Sequence, residues 1–333
     1  MKTLRIDILA FEGCMGMEVF GLCDTLLLAN RVSHALHGAA TPAPFHVNVV
    51  SIAGGDIRAA GGLGMATRRA TRTLPDLLIV PGMDVGDRTG CLRPLTRLAP
   101  EIARLALTFR KGVPVAATCV GAFLLGEAGL LDGRRATTSW LFAADLAQRF
   151  PATTLDASAM LVEDGGVTTT GSFSAAFDLA LHLIRQHTSA KVLRAVARMG
   201  LIDAGRVSQA PYVDTRMLTR AEGGFARQVM AWLDQRLAAP YDLDAIAAAF
   251  HVSPRTLLRR FKLEAGRAPL AYLQQTRIGK AKLLLESGER SLAQVTEMVG
   301  YADVATFGAL FKREVGQTPA QYRRQFRTGG QAP

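Results

Sequence analysis

The chain has 333 residues, of which 49% are hydrophobic and 20% are charged, and its formal net charge is +11. This length predicts two domains, and the composition is typical of a folded protein. The charge is unevenly spread, because residues 226–333 hold 16 Lys and Arg against 9 Asp and Glu. Neutralisation of phosphates would explain a basic C-terminal third, although a solubilising surface would have the same charge.

The four cysteines form no Cys-x-x-Cys pair and no cluster with His, so we predict no zinc site, other metal site, cofactor or disulfide scaffold. They are Cys14, Cys23, Cys91 and Cys119. Met1 is followed almost directly by a strand-like run, which argues against a signal peptide. The apolar stretch 113–131 contains Glu127 and three glycines, which favours a buried strand and helix over a membrane span. We therefore expect a cytoplasmic protein without a membrane partner.

Apolar, β-branched runs alternate with helical patterns in the N-terminal two-thirds. The predicted strands are Leu4–Phe11, His46–Ile52, Leu77–Val80 and Val113–Thr118. The predicted helices are Glu18–Asn30, Pro94–Arg110, Val120–Leu130, Trp140–Phe150 and Ala175–Gln186. Such alternation predicts an α/β domain with a doubly wound parallel sheet, covered on both faces. Ligands of such sheets bind beyond the carboxyl ends of the strands, here at the turns after Phe11, Val80 and Thr118.

The third of these turns places a cysteine between a strand and a helix. Cys119 directly follows the run 113–118 and precedes a helical pattern. A side chain at such a junction is held on a sharp turn, and the N-terminus of the following helix favours a thiolate. Cys119 is therefore either a reactive or ligand-contacting thiol, or simply a small residue that a tight junction requires. The local sequence does not separate these two interpretations.

The order of these motifs resembles the class I glutamine amidotransferase-like superfamily, in its PfpI-type branch. The segments that carry the resemblance are Leu77–Gly82, Ala116–Leu131 and Arg134–Trp140. The resemblance implies a flavodoxin-like, amidotransferase-like sheet with Cys119 at the nucleophile position and Glu18 as its acidic partner. It also implies that the backbone N–H of Gly82 serves as an oxyanion-hole donor.

Two positions depart from the pattern of the hydrolases. Val120 follows the cysteine where the hydrolases often have His, and Ser139 stands where related regulators usually have His. Without an imidazole, no evident group takes a proton from the thiol or returns it to a leaving amine. His182 and His187 lie on a later helix and are expected to be surface or packing residues. We therefore predict a non-catalytic pocket with a vestigial thiol and carboxylate. Its predicted ligand-binding residues are Glu18, Gly82, Met83, Cys119, Val120 and Ser139.

The C-terminal third contains a block that occurs twice, fifty residues apart (307 − 257 = 50). Leu257, Phe261, Lys262, Glu264, Gly266, Pro269 and Tyr272 recur as Phe307, Phe311, Lys312, Glu314, Gly316, Pro319 and Tyr322. A short apolar helical pattern precedes each copy, so the repeating unit is helix, turn, helix. The two units, residues 243–265 and 292–315, predict an all-α double helix-turn-helix domain.

In the first unit, Ser253 is a good N-cap and Pro254 suits the first helical position of the second helix. Leu257 and Phe261 are spaced to pack inward, so the opposite side near the N-terminal half would meet base edges. The predicted base-contacting residues are Arg255, Thr256 and Arg259. Arg is the best side chain for guanine O6 and N7. The predicted phosphate-binding residues are Arg260 and Lys262.

Residues 271–286 predict a long connecting helix, a spacer that can place two recognition helices in successive major grooves, about 34 Å apart. The region 225–326 closely resembles the AraC/XylS-type DNA-binding domain. The signature residues are Gly300, Tyr301, Asp303, Phe307, Phe311, Gly316, Pro319, Tyr322 and Arg323.

The second recognition helix departs from that family, whose members commonly have Arg at the position of Ala309. Its outward residues are small and read little beyond a thymine methyl group. They are Val304, Ala305, Thr306, Gly308 and Ala309. We therefore predict that the first unit supplies most base discrimination, whereas the second grips the DNA backbone through Lys312 and Arg313.

The two domains in this order resemble the GlxA-like transcriptional regulators over nearly the whole chain. The resemblance implies a homodimer that binds double-stranded promoter DNA under the control of a small-molecule effector, with RNA polymerase as a further candidate partner. The carboxylate of Glu18 would suit a cationic group of that effector. The alternatives are a Cys119-dependent amidase or glyoxalase-like hydrolase, or a thiol redox sensor, tethered to DNA. The predicted organisation is an effector-sensing and dimerisation domain at 1–202, a linker at 203–224, a DNA-binding domain at 225–327 and a disordered tail at 328–333.

Overall fold

The computed structural model describes residues 2–38, 40–86, 95–214, 217 and 224–327, which form two compact units. The first unit is Met1–Gln209 and the second is Ala210–Pro333. The boundary therefore lies within the segment predicted as a linker. The predicted disordered tail, residues 328–333, lies outside the described residues, as does Cys91.

The first unit is built on a sheet that has eight strands within the described residues. With a separate pair, β7 and β8, the described strands of this unit are β1 Leu4–Leu9, β2 Phe45–Ser51, β3 Gly55–Arg58, β4 Gly64–Arg69, β5 Leu77–Val80, β6 Val115–Ala117, β7 Arg135–Ala136, β8 Thr154–Leu155, β9 Leu161–Asp164 and β10 Val167–Thr170. Their spatial order is β3-β4-β2-β1-β5-β6-β10-β9, and β7 pairs with β8 apart from this sheet. Neighbours from β4 to β10 run parallel, whereas β3 and β9 are antiparallel to their neighbours.

The winding of the sheet reverses at β1. Strand β2 pairs with one edge of β1 and β5 pairs with the other, so that Ile6 lies opposite both Val47 and Leu77. Strands β5 and β6 are buried along their whole length, as expected for parallel strands covered on both faces. The doubly wound α/β fold is thus confirmed. The reversal between β1 and β5 is the switch point at which such sheets bind ligands.

Six helices accompany the sheet in the described part of this unit. They are α1 Gly16–His37, α2 Ala99–Arg110, α3 Ala122–Glu127, α4 Ala143–Arg149, α5 Ala175–His187 and α6 Ala190–Met199. All five predicted helices are present, although α2, α3 and α4 begin later than predicted because each follows a 3₁₀ turn. Pro94, the predicted start of α2, lies outside the described residues. Helix α6 and the hairpins β3–β4 and β9–β10 were not predicted. The hairpin strands are short and partly polar, so they lack the continuous apolar runs of the central strands.

Within the described residues of the second unit, the regular elements are all helices. Its helices are α7 Gly224–Gln235, α8 Leu243–Ala249, α9 Pro254–Ala265, α10 Pro269–Ser287, α11 Leu292–Met298, α12 Val304–Val315 and α13 Pro319–Phe326. Helices α8 and α9 form the first helix-turn-helix unit, and α11 and α12 form the second. Helix α10 is the predicted connecting helix. None of the helices that the structure describes is both long and apolar enough to span a bilayer.

Helix α10 contributes to two separate hydrophobic cores. Tyr272 and Leu273, near its beginning, pack with α7, α8 and α9, whereas Ile278 and Leu285 pack with α11, α12 and α13. The repeated tyrosines also have equivalent roles. Tyr272 donates to Asp234 on α7 (2.7 Å between Oη and Oδ1), and Tyr322 donates to Glu286 on α10 (2.5 Å between Oη and Oε1). The two helix-turn-helix units are therefore similar modules that share helix α10.

The shared helix leads to a prediction for Phe261 and Phe311, which are equivalent and fully buried. Replacing either by Ala should lower the opening free energy of its own core by about 3–5 kcal/mol, through lost burial and a residual cavity. Native-state hydrogen exchange should show this loss in α7–α9 for Phe261→Ala and in α11–α13 for Phe311→Ala. Helix α10 should lose protection in both variants.

The control is Leu263→Ala, because that side chain is 86% exposed. Loss of α10 protection in one variant alone would contradict the two-core description.

Candidate functional site

Loops from the carboxyl ends of four strands meet around Cys119. Three were predicted: those after β1, β5 and β6. The fourth follows β10 and contains Ser172 and Phe173. The sequence carried a signal for it, since the β-branched run 167–170 precedes Gly171 and a helical pattern just as in the other three cases.

The loops after β5 and β6 approach so closely that one position excludes a side chain. A Cβ atom on Gly121 would lie 2.7 Å from the carbonyl oxygen of Pro81. Cys119, two residues earlier, has a φ of 52°, and Phe173 in the fourth loop has a φ of 28°. Left-handed backbone is uncommon for residues other than glycine, and such strain concentrates at functional sites. The sharp turn predicted at Cys119 is thus present.

Glu18 is fully buried at the switch point. Its Oε2 atom accepts a hydrogen bond from the backbone N–H of Gly82 (2.7 Å) and another from the hydroxyl of Thr118. The resemblance implied that the Gly82 N–H is an oxyanion-hole donor, but the structure corrects this role because that N–H is already bonded to Glu18.

Burial raises the pKa of the Glu18 carboxyl, although hydrogen bonds from Thr118 and Gly82 act in the opposite direction. Oε2 accepts both of these hydrogen bonds, so the carboxyl is already engaged by its own neighbours at the switch point. Recognition of a cationic group of the effector by Glu18 stays a prediction.

The thiol of Cys119 lies beside this carboxyl, and the residue as a whole is 8% exposed. Burial raises its pKa to about 12, and the charge of Glu18 acts in the same direction. Hydrogen bonds with the backbones of Phe173 and Val120 and with the side chain of Ser139 act against this rise. The sequence had suggested a thiolate favoured by the following helix. In the structure, burial outweighs that effect and the thiol stays protonated at neutral pH.

Ser139 comes from the segment before α4 and reaches the thiol as a buried residue. Its Oγ lies 2.9 Å from the Oγ of Ser172, and the adjacent Thr138 hydroxyl donates to the carbonyl oxygen of Cys119 (2.8 Å). Met83 and Val120 are also buried, in the hydrophobic core of this unit. Glu18, Gly82, Cys119 and Ser139 are thus brought into one cluster, to which the structure adds Thr118, Ser172 and Phe173.

No histidine is among the groups that interact with the Cys119 thiol in the described part of the chain. His182 lies 3.1 Å from Glu163 (Nε2 to Oε2), and the ring of His187 packs edge-on against Phe45. Both are surface or packing residues, as predicted. The described residues also contain no group of three His, Cys, Asp or Glu side chains placed to hold a metal ion.

In the second unit, α9 exposes the predicted DNA-contacting side while Leu257 and Phe261 are fully buried on the other. Arg255, Arg259, Arg260 and Lys262 are exposed, and Thr256 is half-buried. The Ser253 hydroxyl caps the helix: it accepts from the Thr256 backbone N–H (3.2 Å) and donates to the Thr256 Oγ1 (2.9 Å). The guanidinium of Arg260 lies 4.1 Å from the ring centroid of Phe225 on α7. Arg260 is therefore oriented by stacking, a contact that the sequence did not predict.

Helix α12 also exposes its predicted DNA-contacting residues, but their side chains differ chemically from those of α9. Val304, Ala305 and Thr306 are exposed, as are Lys312 and Arg313. The N-cap is the carboxylate of Asp303, which accepts from the Thr306 backbone N–H at 2.6 Å. The guanidinium of Arg313 pairs with Glu314 (2.8 Å between Nη2 and Oε1). The start of α12 thus carries an acidic cap and small side chains where α9 carries arginines.

Comparison with known proteins identifies both units. Residues 4–186, more than half of the chain, match the DJ-1/PfpI family, so the chain belongs to this family. Residues 246–325 match a family described as a helix-turn-helix domain. The chain is thus a DJ-1/PfpI protein joined to an AraC-type helix-turn-helix domain, as its resemblance to the GlxA-like regulators predicted.

Two relatives extend over both units. The HTH-type transcriptional regulator GbdR of Pseudomonas aeruginosa (strain UCBPP-PA14) is 25% identical over 280 residues, which cover 83% of this chain and 74% of GbdR. The HTH-type transcriptional regulator GlxA of Rhizobium meliloti (strain 1021) is 31% identical over 219 residues, which cover 65% of this chain and 67% of GlxA. The crystal structure of a THiJ/PfpI family protein from Pseudomonas syringae matches 61% of this chain and 76% of its own, at 21% identity and a TM-score of 0.49.

The raised pKa of Cys119 leads to a prediction about its reactivity. Because the thiolate is the nucleophile, alkylation of Cys119 should be slow at neutral pH and should rise about tenfold per pH unit without a plateau up to pH 10. Mass spectrometry of peptides from the full-length chain would follow this rate. The variant Glu18→Gln should react faster, because it removes the carboxylate that helps to raise the pKa.

The control is Cys119→Ser, which separates the signal from those of the other cysteines. A plateau below pH 9, which is the ordinary pKa of the thiol, would show that Cys119 is a stabilised thiolate instead.

Proposed function

We propose that this protein is a sequence-specific DNA-binding transcriptional regulator controlled by a small molecule that binds in its DJ-1/PfpI unit without being turned over. The observation that carries the proposal is the pair of helix-turn-helix units built on one continuous helix, α10. A rigid spacer of this kind lets two recognition helices enter successive major grooves. GbdR and GlxA are both named HTH-type transcriptional regulators, which supports the same function for this chain.

The two recognition helices would divide the work of DNA binding. We propose that α9 reads bases through Arg255, Thr256 and Arg259, because arginine forms bidentate bonds with guanine. Arg260, oriented by Phe225, would hold a phosphate together with Lys262. On α12, Val304, Ala305 and Thr306 offer contacts with thymine methyl groups. Lys312 and Arg313 on α12 would neutralise backbone phosphates.

The Cys119 site would serve recognition rather than catalysis. Its thiol has a raised pKa, and the groups that interact with it include no imidazole among the described residues. Both facts oppose the alternatives of a hydrolase and a thiol redox sensor, which need an accessible thiolate. We propose that the effector contacts Met83, Cys119, Val120 and Ser139. Glu18 and Gly82 would support the site from below through their mutual hydrogen bond.

The proposed assembly is a cytoplasmic homodimer. Residues 1–202 would sense the effector and join the two copies, residues 203–224 would link the units, and residues 225–327 would bind double-stranded promoter DNA. RNA polymerase would be the target at the promoter. Because a twofold dimer presents its readers symmetrically, its operator would contain two related half-sites.

The function is tested by selection from a pool of random duplexes with the full-length chain, at moderate salt of about 0.15 M. A regulator of this kind should enrich one sequence and bind it at least about 10³-fold more tightly than bulk DNA. Equal affinity for enriched and bulk DNA would refute sequence-specific binding. A thermal-shift screen of small metabolites with the same protein tests the effector, because a ligand that binds the folded state raises the melting temperature.

The division of labour predicts unequal effects of two substitutions. Arg259→Ala should relax base preference at one position of each half-site and cost about 1–3 kcal/mol in binding, through loss of a bidentate contact. Thr306→Ala should change base preference less. Affinities for a set of single-base variants of the enriched duplex would measure both.

The matched control is Lys312→Ala, which should weaken binding to all these duplexes equally and reduce the salt slope by about 1. If Thr306→Ala relaxed base preference more than Arg259→Ala, α12 would be the principal reader.

A further inference from the structure

The last residue of the first unit, Gln209, is buried against the Cys119 site. Its side chain is 2% exposed. The Nε2 atom donates to the carbonyl oxygens of Thr138 (2.8 Å) and Ala159 (3.2 Å), and the Oε1 atom accepts from the backbone N–H groups of Trp140 (3.1 Å) and Ser172 (3.3 Å). The amide thus ties together the two segments that carry Ser139 and Ser172.

These two segments also touch the thiol. The hydroxyls of Ser139 and Ser172 lie 2.9 Å apart, and Ser139 interacts with Cys119. The backbone of Gly171 packs closely against this amide, because a Cβ atom on Gly171 would lie 2.9 Å from the Gln209 Oε1. A molecule that separates Ser139 from Ser172 would move the two segments that the Gln209 amide joins, and would so disturb its hydrogen bonds.

The residues that directly follow Gln209 in the chain, 210–213, contact the second helix-turn-helix unit. The Nζ atom of Lys282, a buried residue of α10, donates to the carbonyl oxygens of Ala210 (2.8 Å), Pro211 (3.3 Å) and Val213 (2.9 Å). The 3₁₀ turn Ala210–Tyr212 packs against α12. The ring of Tyr212 also contacts that of Phe326, with centroids 5.4 Å apart.

We propose that Gln209 is the positioning residue that couples the Cys119 site to the second recognition helix, α12. The inference deepens the proposed function and rests on it. A buried amide that is left without hydrogen-bond partners costs free energy. The Gln209 amide therefore either keeps its full set of partners or loses most of them together. Opening of the two serine-bearing segments would therefore release Gln209, and with it the residues 210–213 that pack on α12. An effector that binds the opened state better would shift this equilibrium.

The test combines changes at the site with changes at Gln209. Ser139→Leu stands in for an occupant, since it adds apolar volume between the thiol and Ser172, and Cys119→Ser is a second site variant in case the first fails to fold. Gln209→Met keeps the length of the side chain but removes its hydrogen bonds. The matched control is Gln186→Met, because Gln186 is an exposed glutamine of the same unit whose amide contacts Glu163.

The affinity of the full-length chain for the enriched duplex is the first readout. The site variant should change the dissociation constant at least about 5-fold in the otherwise native chain and in the Gln186→Met background. In the Gln209→Met background the change should fall below about 2-fold. An equal change in both glutamine backgrounds, or no change in the native one with the fold retained, would overturn the coupling.

Hydrogen exchange of the backbone at 207–214 and in α12 is the second readout, and it needs no DNA. The site variant should alter protection there in the native chain and should leave it unaltered in the Gln209→Met chain. If no duplex is enriched, the proposed function fails, and this readout alone decides the coupling. Unaltered protection in the native chain would overturn it.

Discussion

Helix α10 cannot be moved without damage to one of two hydrophobic cores. Tyr272 and Leu273 belong to the first core and Leu285 to the second, so the helix packs as part of both. The carboxylate of Glu286, on the same helix, also accepts a hydrogen bond from the hydroxyl of Tyr322. The spacing of the two recognition helices is therefore a consequence of core packing and does not depend on a flexible linker. A spacing fixed by core packing is what the proposed reading of successive major grooves requires.

Burial decides the chemistry of the other unit. The fold brings a cysteine and a carboxyl group to the same switch point, an arrangement that could serve nucleophilic catalysis. The same burial raises the pKa of both groups, that of the Cys119 thiol to about 12. A neutral thiol without an imidazole partner is a poor nucleophile. Such a thiol can still line a binding site. The family's scaffold is thereby compatible with sensing in place of turnover.

Much of the fold could be predicted because its signals are local. The repeated block identified both helix-turn-helix units, since Phe261 and Phe311 recur with the same neighbours. Apolar runs identified β1, β2, β5 and β6. The hairpins β3–β4 and β9–β10 escaped prediction because strands such as Gly55–Arg58 are short and polar and are stabilised by pairing with a neighbour. The fourth loop of the site was missed with them, because it follows β10.

The sequence by itself determined the two units, the Ser253 cap of the first recognition helix and the residue types gathered at the thiol site, because each depends on neighbours a few positions away. Tertiary structure alone decided which atoms those residues meet. The Gly82 N–H is bonded to Glu18, 64 residues away in the chain, and Gln209 reaches Thr138 across 71 residues. Arg260 is oriented by Phe225. No periodicity encodes such contacts, and the raised pKa values depend on the burial that all of this packing creates.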